Sequence, residues 1–315
     1  MIEVDVWPES KLNISDLFKR RISINQIEIF FKDLYKTEYI LYFSSGRSSI
    51  VNILKSLDLK REDFISTGFF ANSCIFRTVG HISTPTPSNF NKIFNCSLVY
   101  HQWGYPTKTS FKNLIIEDSV DSIIIDKKGL FLNNGSFEIL SLSKLFGFFS
   151  GAIVIAKNKN LYEKLKKTRN ENKFSNTNFF LSLLSKLNKN YYQIWGHSQT
   201  LGGLESQMMN LFMPRVNFNF NELIYDRKQK INILLPLVPS WLQFDNFRLP
   251  TLIPIEYNQK ILQKLSNNNI SLPIRHFNKG QVYENWNKIK VFCLPIHQGV
   301  SINKIREIFD IIYER

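Results

Sequence analysis

The stretch SFEILSLSKLFGFFSGAIVIA spans residues 136–156 of this chain. Two runs within it, 136–143 and 151–156, are apolar on both faces, which predicts strands of a sheet that helices cover on both sides. Lys144 follows the first run and lies between two serines and a glycine. A lysine at a strand end is usually just the first solvated residue. These small neighbours nevertheless make Lys144 the most specific candidate for chemistry.

The rest of the first half alternates short apolar runs with helical patterns. This alternation predicts an α/β fold with a mostly parallel central sheet covered by helices. The other predicted strands are 38–43, 63–67, 96–101 and 113–118, and the predicted helices are 48–57, 71–79 and 159–169.

The second half of the chain has a different pattern. Residues 174–215 are mainly helical in pattern, and residues 220–315 predict a small α+β domain that ends in an amphipathic helix. We therefore expect a large domain, 1–215, and a small C-terminal domain, 216–315. The two domains are expected to pack together, because no low-complexity linker separates them.

The charge of the chain raises the question of nucleic-acid binding. Lysine and arginine number 40 against 26 acidic residues, which leaves a formal charge of +14. The basic residues, such as those in 157–169, are spread over a predicted helix and accompany no recognition motif, so we expect no nucleic-acid partner. A solvated surface is the preferred interpretation, and attraction for anionic substrates or a membrane surface is the second.

The sequence also limits location and metal chemistry. No stretch reaches the roughly 18 apolar residues of a membrane span, and the N-terminus has no export signal, so we expect a cytoplasmic protein without a transmembrane segment. The cysteines Cys74, Cys96 and Cys293 are widely spaced. We expect them to be buried thiols, with neither a disulfide framework nor a metal site.

Two further segments follow predicted strands, where open α/β sheets bind ligands. Residues 44–48, SSGRS, precede a helix whose N–H groups and positive end favour an anion, although such a turn is more often only an N-cap. Glu117 and Asp118 end an apolar run, where a buried carboxylate needs a cationic or hydrogen-bonding partner. A purely structural carboxylate is the alternative. Together with Lys144, the segments supply what pyridoxal 5'-phosphate (PLP) needs: phosphate donors, an acid for the ring nitrogen and an amine for the aldehyde.

Five motifs occur in collinear order and are followed by a sixth segment, 291–309. They are SSGRSSI (44–50), GFFANSCIFRTVGH (68–81), VYHQWGYP (99–106), IIEDSVDS (115–122) and ILSLSKLFGFFSGAIVIAKN (139–158). In these motifs the chain resembles the fold-type I PLP enzymes, and particularly the DegT/DnrJ/EryC1/StrS family of nucleotide-sugar aminotransferases. The resemblance implies a fold-type I PLP-transferase with a small C-terminal α+β domain, and a homodimer with sites at the interface.

The resemblance also implies roles for the candidate residues. Lys144 would form the Schiff-base link to the cofactor and later move the proton between substrate carbon and cofactor. Asp118 would pair with the protonated ring nitrogen. Gly46 and Arg47 would bind the phosphate through backbone N–H groups, and Ser141 through its hydroxyl.

At three places near the cofactor ring, the chain matches the family pattern less closely. Phe69 resembles the aromatic residue that stacks on the ring, with Phe70 as the alternative, although packing in the core is the usual role of a phenylalanine. Asp121 occupies the place of the family's glutamine or histidine near the ring hydroxyl. The segment 196–207 has Ser198 and Thr200 where the family has asparagine and arginine.

The resemblance implies an aminotransferase that moves an amino group from an amino acid, with glutamate expected, to a nucleotide-linked keto-sugar for surface polysaccharide. Asp121 and the altered segment 196–207 leave another PLP reaction, such as dehydration or decarboxylation, as the alternative. A non-catalytic relative is a third hypothesis, which the presence of Lys144 and Asp118 disfavours. A basic nucleic-acid binder is the fourth.

Overall fold

The fold was analysed on a computed structural model of the chain. The structure describes residues 2–8, 22–69, 71–90, 92–148, 150–172, 184 and 219–313. Phe70, the segment 196–207, the boundary at 215/216 and almost all of the predicted helical region 174–215 lie outside the described residues.

The strands are numbered in chain order among the described residues. They are β1 (Ile2–Glu3), β2 (Ile40–Phe43), β3 (Phe64–Thr67), β4 (Thr84–Pro87), β5 (Cys96–Tyr100), β6 (Leu114–Asp118), β7 (Ile123–Ile124), β8 (Phe137–Ser141), β9 (Ala152–Ala156), β10 (Arg248–Leu249), β11 (Leu252–Glu256), β12 (Ile270–Ser271), β13 (Ile274–Asn278) and β14 (Lys288–Pro295).

The helices are numbered in the same way. They are α1 (Ile24–Tyr35), α2 (Gly46–Ser56), α3 (Ser73–Gly80), α4 (Leu142–Phe146), α5 (Lys159–Glu171), α6 (Phe220–Leu234), α7 (Gln259–Asn267) and α8 (Ile302–Tyr313). Most begin at a side-chain cap, as at Ser45, whose hydroxyl accepts from the backbone N–H of Ser48 at 3.1 Å and so satisfies one of the unpaired donors of the first turn of α2.

A seven-stranded sheet forms the centre of the first half. Its strand order is β2-β9-β8-β6-β5-β3-β4. The strands β4, β3, β5, β6 and β8 are parallel to one another, whereas β9 is antiparallel to both β2 and β8. The prediction of a mostly parallel α/β sheet is therefore confirmed.

Apolar layers cover both faces of this sheet. One layer packs α1 and the start of α6 against residues such as Tyr42 and Ile153. The other packs α2 and α5 against the neighbouring positions Leu41 and Val154, which point to the opposite face. This arrangement explains why the strand runs in the sequence carry apolar residues on both faces.

The prediction for residues 136–143 was wrong at its end. The strand β8 stops at Ser141, and α4 follows at once. Ser141 caps this helix by accepting from the backbone N–H of Lys144 at 3.4 Å, and Gly147, with a φ of 72°, ends it in the left-handed region. Lys144 therefore lies in a short helix after the strand, not at the strand end.

The C-terminal part contains a three-stranded antiparallel sheet in the order β11-β14-β13. An apolar cluster packs α7 and α8 against it, which agrees with the predicted α+β pattern. Two short pairings join distant parts of the chain: β1 lies parallel to β12, and β10 lies antiparallel to β7. The division into two domains stays a prediction.

Two other expectations concern helices and thiols. Among the described residues, every helix is too short or too polar to cross a bilayer. Cys96 and Cys293 are buried as expected, but Cys74 is only half-buried.

Candidate active site

The site lies where the parallel strands β3, β5, β6 and β8 end at one edge of the sheet. Tyr100 is the register partner of Asp118, and these residues end neighbouring strands. Ser141 ends the next strand, β8. Because these carboxyl ends share one edge, the side chains that follow them converge there.

Lys144 and Asp121 form an ion pair at this edge. The Nζ atom of Lys144 lies 3.3 Å from Oδ1 of Asp121, and the carboxylate is fully buried while 34% of the lysine side chain is exposed. An amine that reacts with a substrate must be accessible from solvent. The exposed part of the Lys144 side chain provides this access. The lysine is thus held at its tip and remains accessible.

Asp121 accepts hydrogen bonds from two further donors. The indole N–H of Trp7 donates to Oδ1 at 2.8 Å, and the hydroxyl of Tyr100 donates to Oδ2 at 2.5 Å. Burial, and then the Asp121 carboxylate, raise the pKa of Tyr100 well above its ordinary value, so the proton stays on the phenol. The backbone N–H of Trp103 donates to the same phenol oxygen at 3.2 Å. Three donors therefore hold Asp121 as an acceptor facing Lys144.

Asp118 has a different environment from Asp121. Its side chain is buried, and in the described part of the chain it accepts one backbone hydrogen bond, from Val120 at 3.3 Å. Burial raises the pKa of Asp118 to about 7; the nearby Lys144 ammonium opposes this rise and the Asp121 carboxylate adds to it. A cationic donor at this carboxylate would offset the cost of its burial.

The N-terminus of α2 packs against the loop between Asp118 and Asp121. A Cβ atom added to Gly46 would lie 3.1 Å from Cγ1 of Val120, so a glycine allows this close approach. The first N–H groups of a helix have no intrahelical acceptor and point outward with the positive end of the helix dipole. Both features favour an anion beside Gly46.

Arg47 and Cys74 bring further groups toward the site. Burial raises the pKa of the Cys74 thiol, while the charges of Lys144 and then Arg47 lower it. Both positive charges therefore act on the thiol at the start of α3. Arg47 therefore adds a positive charge at the side of the site where α2 begins.

Ser141 and the candidate aromatic residues complete the set. The hydroxyl of Ser141 lies 3.1 Å from that of Ser143 and caps α4. Phe69 lies between β3 and α3, and 39% of its surface is exposed. Its neighbour Gly68 packs closely against Trp286. A Cβ atom added to Gly68 would lie 3.2 Å from the indole ring.

Glu117, beside Asp118, belongs to a buried network behind the site. His101 Nδ1 accepts from the backbone N–H of Thr107 at 3.0 Å, so its Nε2 carries the proton and donates to Glu117 at 2.8 Å. Burial alone would raise the pKa of Glu117, but the bond from His101 holds it below its ordinary value. His101 is thus structural.

Glu138 extends this network to the C-terminal part of the chain. The Arg248 guanidinium donates to Glu138 at 2.8 Å and to the hydroxyl of Ser119 at 2.7 Å, and both charged side chains are fully buried. The ligand atoms of His101, Glu117 and Glu138 lie within 4.8 Å of one another, but hydrogen bonds already occupy them. The group is therefore a polar core that fixes the loop after Asp118.

Two residues of the site, Trp7 and Tyr100, were not predicted from the sequence. Tyr100 could have been found, because it ends β5 as Asp118 ends β6, and both belong to quoted motifs. Trp7 is 114 positions from Asp121 and arrives through a tertiary pairing that no local pattern encodes. The structure brings together Lys144, Asp118, Asp121, Gly46 and Ser141.

Most of the chain matches one known protein family. Residues 27–314 match a family model described as "Putative PLP-dependent aminotransferase". The chain belongs to this family of PLP-dependent aminotransferases. A search of curated proteins returned no match.

Solved structures resemble this aminotransferase over nearly its whole length. The aminotransferase TlmJ from Streptoalloteichus hindustanus is 10% identical, with a TM-score of 0.64 and coverage of 99% of this chain and 98% of that chain. The sugar aminotransferase CalS13 from Micromonospora echinospora is 10% identical, with a TM-score of 0.62 and coverage of 97% and 98%. A DegT DnrJ EryC1 StrS aminotransferase from Brucella abortus is 10% identical, with a TM-score of 0.60 and coverage of 94% and 91%. At such low sequence identities, the likeness to these structures shows only the fold, which is fold-type I.

The residues of this aminotransferase fit the cofactor of its family. Asp118 is a buried carboxylate with an elevated pKa, which a protonated ring nitrogen would satisfy. Lys144 offers an accessible amine, and the start of α2 offers N–H groups beside a glycine that packs closely. These are the three chemical functions that PLP requires of a protein.

Proposed function

We propose that this aminotransferase transfers an amino group from glutamate to a nucleotide-linked keto-sugar. The observation that carries the proposal is that Lys144 forms an ion pair with Asp121 and that its charge also acts on the buried Asp118. The resemblance of the motifs to nucleotide-sugar aminotransferases supports the choice of acceptor, and so does the sugar aminotransferase among the structural neighbours.

Each candidate residue has a binding role in this proposal. Asp118 accepts from the protonated ring nitrogen of PLP and keeps it protonated. Gly46 and Arg47 donate backbone N–H groups to the phosphate, and Ser141 donates its hydroxyl. Phe69 supplies an aromatic surface for the ring.

Lys144 moves the proton in this proposal. PLP, when bound, supplies an aldehyde that links to amines and a ring that accepts electrons. In the cofactor-free protein, the Nζ of Lys144 donates to Asp121, which holds the side chain in place. After the substrate amine takes the place of Nζ on the cofactor, the neutral Nζ would accept a proton from the substrate carbon and donate it to the cofactor side, which leaves Nζ neutral again. Asp121, held by Trp7 and Tyr100, would stay beside Nζ and orient it for this transfer.

The charge of the chain agrees with an anionic acceptor. A net charge of +14 attracts the two phosphates of a sugar nucleotide, and Arg47 adds a local cation near the site. We further propose a cytoplasmic homodimer that serves surface polysaccharide synthesis, with a large domain of residues 1–215 and a small domain of residues 216–315.

The test is a visible absorption spectrum of the purified protein. The spectrum should show a band of lysine-bound cofactor that disappears when glutamate is added, because the amino group then resides on the cofactor. A panel of UDP- and dTDP-linked keto-sugars should restore the band, and the amino-sugar product should be detected by mass spectrometry. A matched series with free sugars tests whether the nucleotide is needed.

Other outcomes would redirect the proposal. Loss of carbon dioxide or water from the substrate, without restoration of the band, would identify another PLP reaction. A protein that binds the cofactor but responds to no amino donor would be a non-catalytic relative.

A further inference from the structure

Trp7 reaches the site from the N-terminal segment, residues 2–8. This segment is held by the C-terminal part of the chain: β1 pairs with β12, and the backbone N–H of Val4 donates to Ser271 at 3.3 Å. His297 accepts from Gly299 at Nδ1, so its Nε2 carries the proton and donates to the carbonyl of Asp5 at 2.9 Å. The segment therefore has a fixed course up to Trp7.

Two contacts fix the indole of Trp7 beside the reactive amine. Its N–H donates to Asp121 at 2.8 Å, and the Nζ of Lys144 lies 4.7 Å from the centre of its ring. Nevertheless 41% of the tryptophan surface is exposed. A tryptophan that served only to anchor the segment would gain most by burying its ring.

The position of Lys144 determines what meets the exposed part of the indole. A substrate carbon that exchanges a proton with Nζ must come within about 3–3.5 Å of it. Because Nζ itself lies 4.7 Å from the centre of the indole ring, the carbon comes within about 8 Å of that centre, which brings its sugar ring near the same indole. An aromatic face of this kind suits the apolar C–H face of a sugar, while the indole N–H remains bonded to Asp121.

We infer that Trp7 forms one wall of the substrate pocket and packs against the ring of the sugar acceptor. This inference rests on the proposed function. It identifies Trp7 as a residue that determines the specificity for the sugar acceptor. The amino-acid donor has no such ring and depends less on the indole.

The test compares Trp7→Leu and Trp7→Phe holoenzymes with the wild type, using glutamate and the keto-sugar that restores the visible band. Both variants lose the N–H bond to Asp121, so the difference between them isolates the aromatic ring. Trp7→Leu should raise the KM for the keto-sugar about tenfold, which equals about 1.4 kcal/mol, the upper part of the range for an aromatic contact. Trp7→Phe should raise it about threefold, and the KM for glutamate should change less than about twofold in both.

Trp241 provides a matched control. Its indole N–H also donates, at 2.6 Å, to a carboxylate, that of Glu256, which is exposed at the end of β11. Trp241→Leu and Trp241→Phe should leave both KM values within about twofold of the wild type.

Indole fluorescence gives a readout that does not depend on turnover. Without an amino donor, the keto-sugar should quench the emission of the wild type and of Trp241→Phe, but the quenching should be largely lost in Trp7→Phe. Equal KM values for the sugar in Trp7→Leu and the wild type, with unchanged quenching in Trp7→Phe, would overturn the inference. An equal rise for glutamate and the sugar would overturn it too, because Trp7 would then act on Lys144 through Asp121. A wild-type enzyme that accepts no keto-sugar would instead refute the proposed function.

Discussion

The ammonium of Lys144 lies 3.3 Å from a carboxylate, Asp121, that is completely buried. Asp121 therefore depends on its three donors, Lys144, Trp7 and Tyr100, for the interactions that water would otherwise supply. The relationship is reciprocal, because the buried carboxylate also fixes the tip of a flexible side chain. Each partner is needed to keep the other in place.

Replacing Lys144 with alanine should abolish the covalent link to PLP and all transamination, since no other amine occupies this position in the described residues. The fold should persist, because the lysine contributes little to the core. Mass spectrometry after borohydride treatment should find no cofactor adduct on the variant. Lys167→Ala, which removes an exposed lysine of α5, serves as the control and should behave like the wild type. An adduct and normal activity in Lys144→Ala would assign the reactive amine elsewhere.

Replacing Asp118 with asparagine should stabilise the cofactor-free protein at alkaline pH. Because burial raises the pKa of Asp118 to about 7, the folded protein holds a proton that the unfolded chain has lost. The free energy of unfolding contributed by this group therefore falls as pH rises from about 4 to about 7, and at pH 8 the ionised carboxylate costs up to about 4 kcal/mol. The advantage of Asp118→Asn should be largest at pH 8 and should shrink by more than half at pH 5.

Urea unfolding of both cofactor-free proteins at the two pH values measures this difference. Saturating PLP should reverse the order at pH 8, because only the carboxylate can hold the ring nitrogen protonated. The variant should also lose most of its turnover. A pH-independent difference between the two proteins would show that Asp118 is solvated or paired in the free enzyme.

Much of this architecture follows from local patterns. The runs around Ile116, Ile139 and Val154 carry apolar residues on both faces because helices cover both sheet faces, and this predicted the central strands within a few residues. The end of β8 was mispredicted because the capping of α4 by Ser141 competes with strand continuation, and SLSK fits both patterns. The short strand β4, with the sequence TPTP, gave no signal, since proline is unfavourable inside strands.

The candidate site was predicted less evenly. Asp118 ends one strand, and Gly46 and Lys144 closely follow two others. These strands end at the same edge of the sheet, so the strand order brings the three residues together. Trp7 depends on the pairing of β1 with β12, and Arg248 depends on the pairing of β10 with β7. Such contacts join segments more than 100 residues apart and arise from tertiary packing that no local pattern encodes.

Replacing Asp121 with asparagine should weaken both the fold and the site. Three donors point at the Asp121 oxygens, so the amide group of an asparagine would face a donor and leave a buried group unsatisfied, at a cost of about 1–3 kcal/mol. Tyr100→Phe removes one donor and should cost less. We expect the affinity for PLP to fall in the same order, which equilibrium dialysis can measure beside urea unfolding. Wild-type stability and affinity in Asp121→Asn would show that the three donors do not depend on its charge.

Replacing Arg248 with methionine should destabilise the protein by about 3–5 kcal/mol, because Glu138 would remain as an unpaired buried charge. Adding Glu138→Gln should recover much of that loss, since the double variant buries no charge at this place. Burial raises the pKa of Glu138 and Arg248 opposes the rise, so the carboxylate should take up a proton more readily once the arginine is gone. The deficit of Arg248→Met should therefore be smaller at pH 5 than at pH 8. Urea unfolding measures this difference, with the exposed Lys228→Met as the control, and equal deficits at both pH values would mean that lost packing of Arg248, not the unpaired carboxylate, causes the destabilisation.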